Sequence, residues 1–135
     1  MAAFADTNVF IHFLIGFDPE RYRRCYALFE AVEAGTTELE TSDMVLAELV
    51  WFLERPPIRM RAPGVRDKLA PLVAFPGLRL PDKDLLLQSL GLHAEGGLNF
   101  VDAYNAVVMR KRGLNRIYSY DTDFDGVPGI SRIEP

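Results

Sequence analysis

Four carboxylates stand where packing alone would not put them. Asp6 follows directly on the apolar run 2–5, and Asp121 follows directly on the strand-like 117–120. Glu48 lies inside the apolar stretch 45–53, and Asp102 sits one turn into Phe100-Val101-Asp102-Ala103-Tyr104. An ionised carboxylate in such surroundings costs free energy unless a cation, a donor or water compensates it. Taken singly, Glu48 and Asp102 also suit the polar stripe of an amphipathic helix, and a first-turn Asp is favoured by the helix dipole. Taken together, two strand-end acids and two helix acids, in a sheet whose topology can bring them to one edge, describe a metal-binding carboxylate cluster.

Hard oxygen ligands select Mg²⁺ or Mn²⁺. With Cys25 as the one cysteine and His12 and His93 as the two histidines, neither an internal disulfide nor a zinc set is available. Carboxylate-bound Mg²⁺ suits phosphoryl chemistry, because the ion lowers the pKa of a water and neutralises charge building on the phosphate oxygens. One ion could do this, or two about 4 Å apart.

The 135 residues, 49% hydrophobic and 25% charged, suffice for one domain, 1–135, with a core that needs no covalent or metal staple. Disorder is excluded by that composition. No apolar run approaches the roughly 20 residues of a membrane span, and the start of the sequence lacks the basic flank of a signal peptide, so a cytoplasmic protein is expected. The net charge of −4 argues against gripping nucleic acid through bulk positive charge. It leaves room for a nucleic-acid enzyme, since clustered carboxylates lower the pI whatever the substrate.

The elements that must position the acids read as short strands alternating with helices, an α/β pattern. Residues 2–5 form a strand, Asp6-Thr7-Asn8 a polar turn, and Val9, Phe10, Phe13 and Leu14 a helical face. Pro19 opens a second helix that stops at Gly35, with Cys25, Leu28, Phe29 and Val32 inward and Arg21, Arg23 and Arg24 outward. Residues 38–41 form a brief strand, and Ser42 or Asp43 caps a helix from Met44 to about Leu53. A basic loop, 55–68, runs into a helix ending near Phe75, 78–80 is a strand, and Pro81-Asp82 begins a leucine-rich helix broken by Gly96-Gly97. Asn99 caps a helix from Phe100 to Arg112 whose apolar face carries Val101, Tyr104, Val107 and Val108. Residues 117–120 are a strand, 121–126 an acidic turn, and 130–133 a last edge strand. Four or five such strands imply a largely parallel sheet, whose ligands sit beyond the carboxyl ends of its strands.

Asp6-Thr7-Asn8-Val9-Phe10, the 42–53 helix with Leu46-Ala47-Glu48-Leu49, Asn99-Phe100-Val101-Asp102-Ala103, and Tyr118-Ser119-Tyr120-Asp121-Thr122-Asp123-Phe124-Asp125 with Pro128-Gly129-Ile130 together resemble the PIN-domain ribonucleases. Within that family they resemble the VapC-type toxins of bacterial toxin–antitoxin pairs. The resemblance spans essentially the whole chain, and the order and spacing of the four acids are its specific part. It implies a three-layer α/β/α sandwich with a central, mostly parallel sheet, Mg²⁺- or Mn²⁺-dependent endonucleolytic cleavage of RNA, homodimerisation and inhibition by a small antitoxin. It makes Asp6, Glu48, Asp102 and Asp121 catalytic, with Asp6 and Asp102 as metal ligands and the other two completing the shell directly or through water. Thr7 and Asn8 match the polar pair after the first acid, and Ser119 matches a small hydroxyl at the same edge. Asp123 and Asp125 are either further site acids or a solvated turn.

An acidic protein cutting an acidic polymer needs local positive charge. The stretch 55–68, with Arg55, Arg59, Arg61, Arg66 and Lys68 against Asp67, is the expected RNA clamp. Arg110, Lys111, Arg112 and Arg116 have a sufficient structural reason at a helix C-terminus. Trp51 and Phe52 read as core or interface, one of Tyr118 and Tyr120 as core, and His12 as packing or surface. The leucines of 85–92, with Phe10, Phe13 and Phe17, offer apolar surface to a second copy or an antitoxin. Two rivals stand beside this reading: a PIN nuclease of RNA maturation or DNA cleavage without an antitoxin, and a non-catalytic PIN scaffold binding RNA or protein. A haloacid-dehalogenase-like phosphatase would need Asp where Asn8 stands, and a receiver domain would need a lysine that 118–126 lacks.

Overall fold

Strands of two or three residues satisfy few backbone groups by themselves, so their placement rests on the helices packed around them. The computed structural model describes residues 2–135. Among these, β1 (Ala3–Phe4), α1 (Thr7–Ile15), α2 (Pro19–Glu33), β2 (Leu39–Glu40), α3 (Asp43–Glu54), α4 (Ala62–Val73), β3 (Leu78–Arg79), α5 (Lys83–Gly96), α6 (Phe100–Lys111), β4 (Arg116–Tyr118), a 3₁₀ helix (Thr122–Gly126) and β5 (Ser131–Ile133) follow in order. The α/β class and the parallel pairing are those expected from the sequence. The strands pair in two groups, β1-β2-β3 and β4-β5, with Ala3 opposite Leu39, Leu39 opposite Leu78, and Ile117 opposite Arg132.

Helix boundaries follow local chemistry. Asp18, Ser42, Asp82 and Asn99 each accept a backbone N–H of the helix they open, which satisfies donors the first turn leaves orphaned. Pro63 sits in the first turn of α4, where its missing N–H costs nothing. Hence part of the expected basic loop is helix, and Arg66 and Lys68 ride on α4. At Gly77 a Cβ would collide with the carbonyl oxygens of Val32 and Thr37, so only glycine lets β3 pass this close to the end of α2.

The larger core is built on Phe10, Phe29, Val32, Leu46, Leu49, Leu53, Leu69 and Leu86. A smaller one joins Ala103, Ala106 and Met109 of α6 to Phe124, Val127 and Ile130. Since Phe100 belongs to the first core, α6 is the element that ties the β4–β5 segment to the rest. Its buried stripe is Phe100, Ala103, Ala106 and Val107, whereas Val101, expected on that face, is 56% exposed. Other expectations shift likewise. Tyr118 and Tyr120 are both exposed, and Leu85, Leu86 and Leu90 are buried, so the leucine-rich helix spends its apolar face on α4 and α6 rather than offering it to a partner. No helix among the described residues is long and apolar enough to cross a membrane.

The end of β1 is pinned at Ala5. Its N–H donates to the Glu40 carbonyl at 2.8 Å, and its carbonyl accepts the buried Thr41 hydroxyl at 3.0 Å. Thr41→Val keeps the shape and strands that carbonyl, at an expected cost of about 1–2 kcal/mol in urea denaturation. The exposed Thr36→Val is expected to stay within about 0.5 kcal/mol; equal losses for the two would show that the Thr41 bond does not hold β1.

Candidate metal centre

The pinning of Ala5 delivers Asp6 to the start of α1. Asp6 is the N-cap residue there, yet its side chain makes no capping hydrogen bond, and its carboxylate stays exposed. Opposite it runs α3, with Val45, Leu46, Leu49, Val50 and Leu53 inward. The remaining stripe, Met44, Ala47, Glu48 and Trp51, follows helical spacing and lines one open cleft with Asp6 and Thr7. Glu48 is therefore a solvent-facing acid, not the embedded one its sequence neighbours suggest. Neither Asp6 nor Glu48 has a side-chain hydrogen bond or ion pair among the described residues.

A second acid group forms at α6. Asn99 Oδ1 accepts the Asp102 N–H at 2.9 Å, fixing Asp102 in the first turn, where the helix dipole favours negative charge. Burial, then the charge of Asp121 and a hydrogen bond to its carboxyl, then the charge of Asp123, push the Asp102 carboxyl above its ordinary value. Asp102 Oδ2 is buried with no hydrogen-bond partner. Asp121 is not at a strand end: β4 stops at Tyr118, and Ser119 and Tyr120 intervene. It is set by short-range bonds, its N–H donating to Ser119 Oγ at 2.9 Å and its Oδ1 accepting the Asp123 N–H at 2.9 Å.

Arg132 of β5 clamps that segment. It donates to Asp125 Oδ1 at 2.9 Å, to the Ser119 carbonyl at 3.1 Å and to Glu134 Oε1 at 2.7 Å. Asp125 is thereby spent on structure, while Asp123 adds charge against Asp102. The sequence reading missed Arg132, whose signal was an arginine on an edge strand with acids on both sides in sequence. It also missed Glu54, which lines the Asp102 cleft and is held by the buried His93 Nε2 at 2.9 Å, and Asp43, which accepts the Tyr104 hydroxyl at 2.7 Å.

The structure thus brings Asp6 to Glu48, and Asp102 to Asp121. Ala47 and Trp51 line both clefts, so Asp6 and Glu48 lie on one flank of a ridge of α3 and Asp102 on the other. Among the described residues no three His, Cys, Asp or Glu side chains converge as a ready-made metal shell. The cause is topological: Asp6 depends on the three-stranded sheet, Asp121 on the β4–β5 pair. The donor set at Asp102 still fits a hard divalent cation. A carboxyl whose buried oxygen lacks any protein donor among the described residues, with the charge of a second carboxyl beside it, is the kind of oxygen set a hard cation relieves.

A family model for the PIN domain matches residues 3–130, and the chain belongs to that family. No curated protein matches. Among solved structures, the chain is similar to Mycobacterium tuberculosis VapC20, described as a toxin cleaving the sarcin-ricin loop, at 24% identity over 99% of this chain and 100% of that one, with a TM-score of 0.39. It is also similar to a chain of a toxin–antitoxin complex from Klebsiella pneumoniae at 22% identity, covering 97% and 96%, with a TM-score of 0.34. The family model carries the assignment.

The raised Asp102 carboxyl fixes the sign of a pH effect. A folded-state pKa above the unfolded value of about 3.9 means stability that is present below that value and lost as pH rises through the folded one. The metal-free protein is therefore expected to lose stability across that window and Asp102→Asn to flatten the loss, raising the melting temperature at neutral pH. Mg²⁺ should stabilise the parent and leave the variant unmoved. A variant that melts lower than the parent without metal, or gains as much from Mg²⁺, contradicts the site.

Proposed function

We propose that this PIN-domain chain is a Mg²⁺- or Mn²⁺-dependent endoribonuclease that hydrolyses RNA phosphodiester bonds, and that it is the toxin of a toxin–antitoxin pair. The observation that carries the nuclease reading is the Asp102–Asp121 contact, with its partnerless buried oxygen at the first turn of α6. Asp102 and Asp121 would hold the cation. Asp6, a metal ligand by the family resemblance, and Glu48 are the remaining acids assigned to the reaction, free of protein partners on the other flank of the α3 ridge. A bound divalent cation supplies Lewis acidity, making water a better nucleophile and offsetting charge on the phosphate.

The chain's own groups have three tasks. A cation at Asp102 competes with protonation of its raised carboxyl, which ties loading to pH. Arg132 keeps Asp121 against Asp102 through the Ser119 carbonyl. Countercharge for RNA comes from Arg55, Arg59 and Arg61, which are exposed and have no ion pair among the described residues. In the other basic cluster Lys111 is committed to Asp82 and Asp84 at 3.1 and 2.9 Å, while Arg110, Arg112 and Arg116 are exposed at and beyond the C-terminus of α6, away from the α3 ridge. The toxin assignment, the antitoxin partner and a homodimer rest on the resemblance of the acid motifs to VapC-type toxins.

The separation of the acids into two pairs favours one alternative, a PIN scaffold that binds RNA without cutting it. An RNA digest with Mg²⁺, with chelator, and with Asp102→Asn separates the two. The proposal expects cleavage that chelator abolishes and that the variant lowers by roughly 100-fold or more, the scale of losing a group that holds the reacting charge. RNA retained intact by well-folded protein in Mg²⁺ and in Mn²⁺ would favour the scaffold.

A further inference from the structure

The outer stripe of α3 carries the chain's one tryptophan. Trp51 was expected in a core or an interface, yet it is 58% exposed. The Arg55 guanidinium lies 3.9 Å from its ring centroid and 5.6 Å from that of Phe52. Trp51 is also the side chain, with Ala47, that lines both acid clefts. An indole left in water is an unused apolar face, and a stacked cation holds this one in place.

Its neighbours decide what would cover it. An apolar protein side chain would suit the groove of Met44, Phe100, Val101 and Tyr104 next to it, but around Trp51 itself stand Arg55, Glu48, Glu54 and Asp102. A flat face rimmed by polar groups suits a partner that is itself flat and polar at its edges, and one attached to an anion where it meets the arginines at the end of α3 rather than the three carboxylates. Every nucleobase offers a π face, and Arg59 and Arg61, which have no ion pair among the described residues, offer countercharge to the phosphates that follow it, next to the stacked Arg55. We propose that Trp51, backed by Arg55, is the stacking platform for an unpaired base of single-stranded RNA, holding the nucleotide beside the phosphate presented to the acids. This rests on the ribonuclease reading above and adds that the substrate is unpaired where it meets α3.

Because Trp51 is the lone tryptophan, its emission reports on stacking without any cleavage. Wild-type protein is titrated in chelator with single-stranded oligoadenylate and oligouridylate and with a duplex of equal length. Saturable quenching by the single strands and little by the duplex is expected. Trp51→Ala, whose exposed site should leave the thermal melt unchanged, is expected to weaken binding of labelled single strand about tenfold to a hundredfold, with Trp51→Phe between, as loss of one stacked base implies. In Mg²⁺ digests the loss should fall on KM rather than on kcat. Labelled RNA that binds without quenching, or binds Trp51→Ala as tightly as the parent, overturns the platform even if RNA is cut. Quenching by RNA that is never cut in Mg²⁺ or Mn²⁺ supports the platform and overturns the nuclease instead. A Trp51→Ala protein altered only in self-association, with RNA affinity intact, makes the indole an interface residue and overturns the proposal.

Discussion

Two carboxyl groups in contact repel each other unless a proton or a cation lies between them, and α6 holds Asp102 in that position against Asp121. Three separate features maintain the contact. Asn99 caps the helix and fixes Asp102 in its first turn, Ser119 and the 3₁₀ turn set Asp121, and Arg132 ties that turn to β5. The small core of Ala103, Ala106, Met109, Phe124, Val127 and Ile130 then presses the whole segment onto α6. Asp102 Oδ2 has no hydrogen-bond partner among the described residues, so its burial carries an electrostatic cost at this point, as binding sites for cations commonly do.

The helices were legible because their punctuation is local: Pro19 and Pro81-Asp82 open helices, Ser42 and Asn99 cap where the sequence places a cap, and apolar spacing gives the buried face of α2. Asp6 was legible for the same reason, a polar residue directly after a short apolar run. What failed was non-local. Whether β4 joins the β1–β3 sheet cannot be read from a three-residue strand, and the expected single sheet is a three-stranded and a two-stranded one. Val101 and Glu48 show the second limit. Each sits among apolar neighbours in sequence, but which side of a helix faces inward is decided by α6 serving two cores and by α3 packing on α1 and α4. Arg132 shows a third, since a clamp made of one arginine and three acceptors has no periodic signature.

Charge is distributed unevenly for a chain of net −4. Acids stand on the flanks of the α3 ridge, while Arg55, Arg59 and Arg61 follow directly at its end with no ion pair among the described residues, and in the rival basic cluster Lys111 is tied to Asp82 and Asp84. An anionic polymer approaching the ridge therefore meets positive charge at the end of α3 and negative charge beside it, which is the arrangement the proposed phosphate and cation sites require. The PIN family assignment over residues 3–130 is in keeping with that division of labour.

The central claim is that the cation sits at Asp102 and Asp121. Adding substoichiometric Mn²⁺ to isotopically labelled protein and following paramagnetic line broadening residue by residue locates the ion without reference to activity. Broadening strongest at Asp102, Ser119, Asp121 and Asp123, and weaker at Asp6 and Glu48, is the predicted result. Broadening centred on another surface, or spread evenly over the exposed acids, would contradict it.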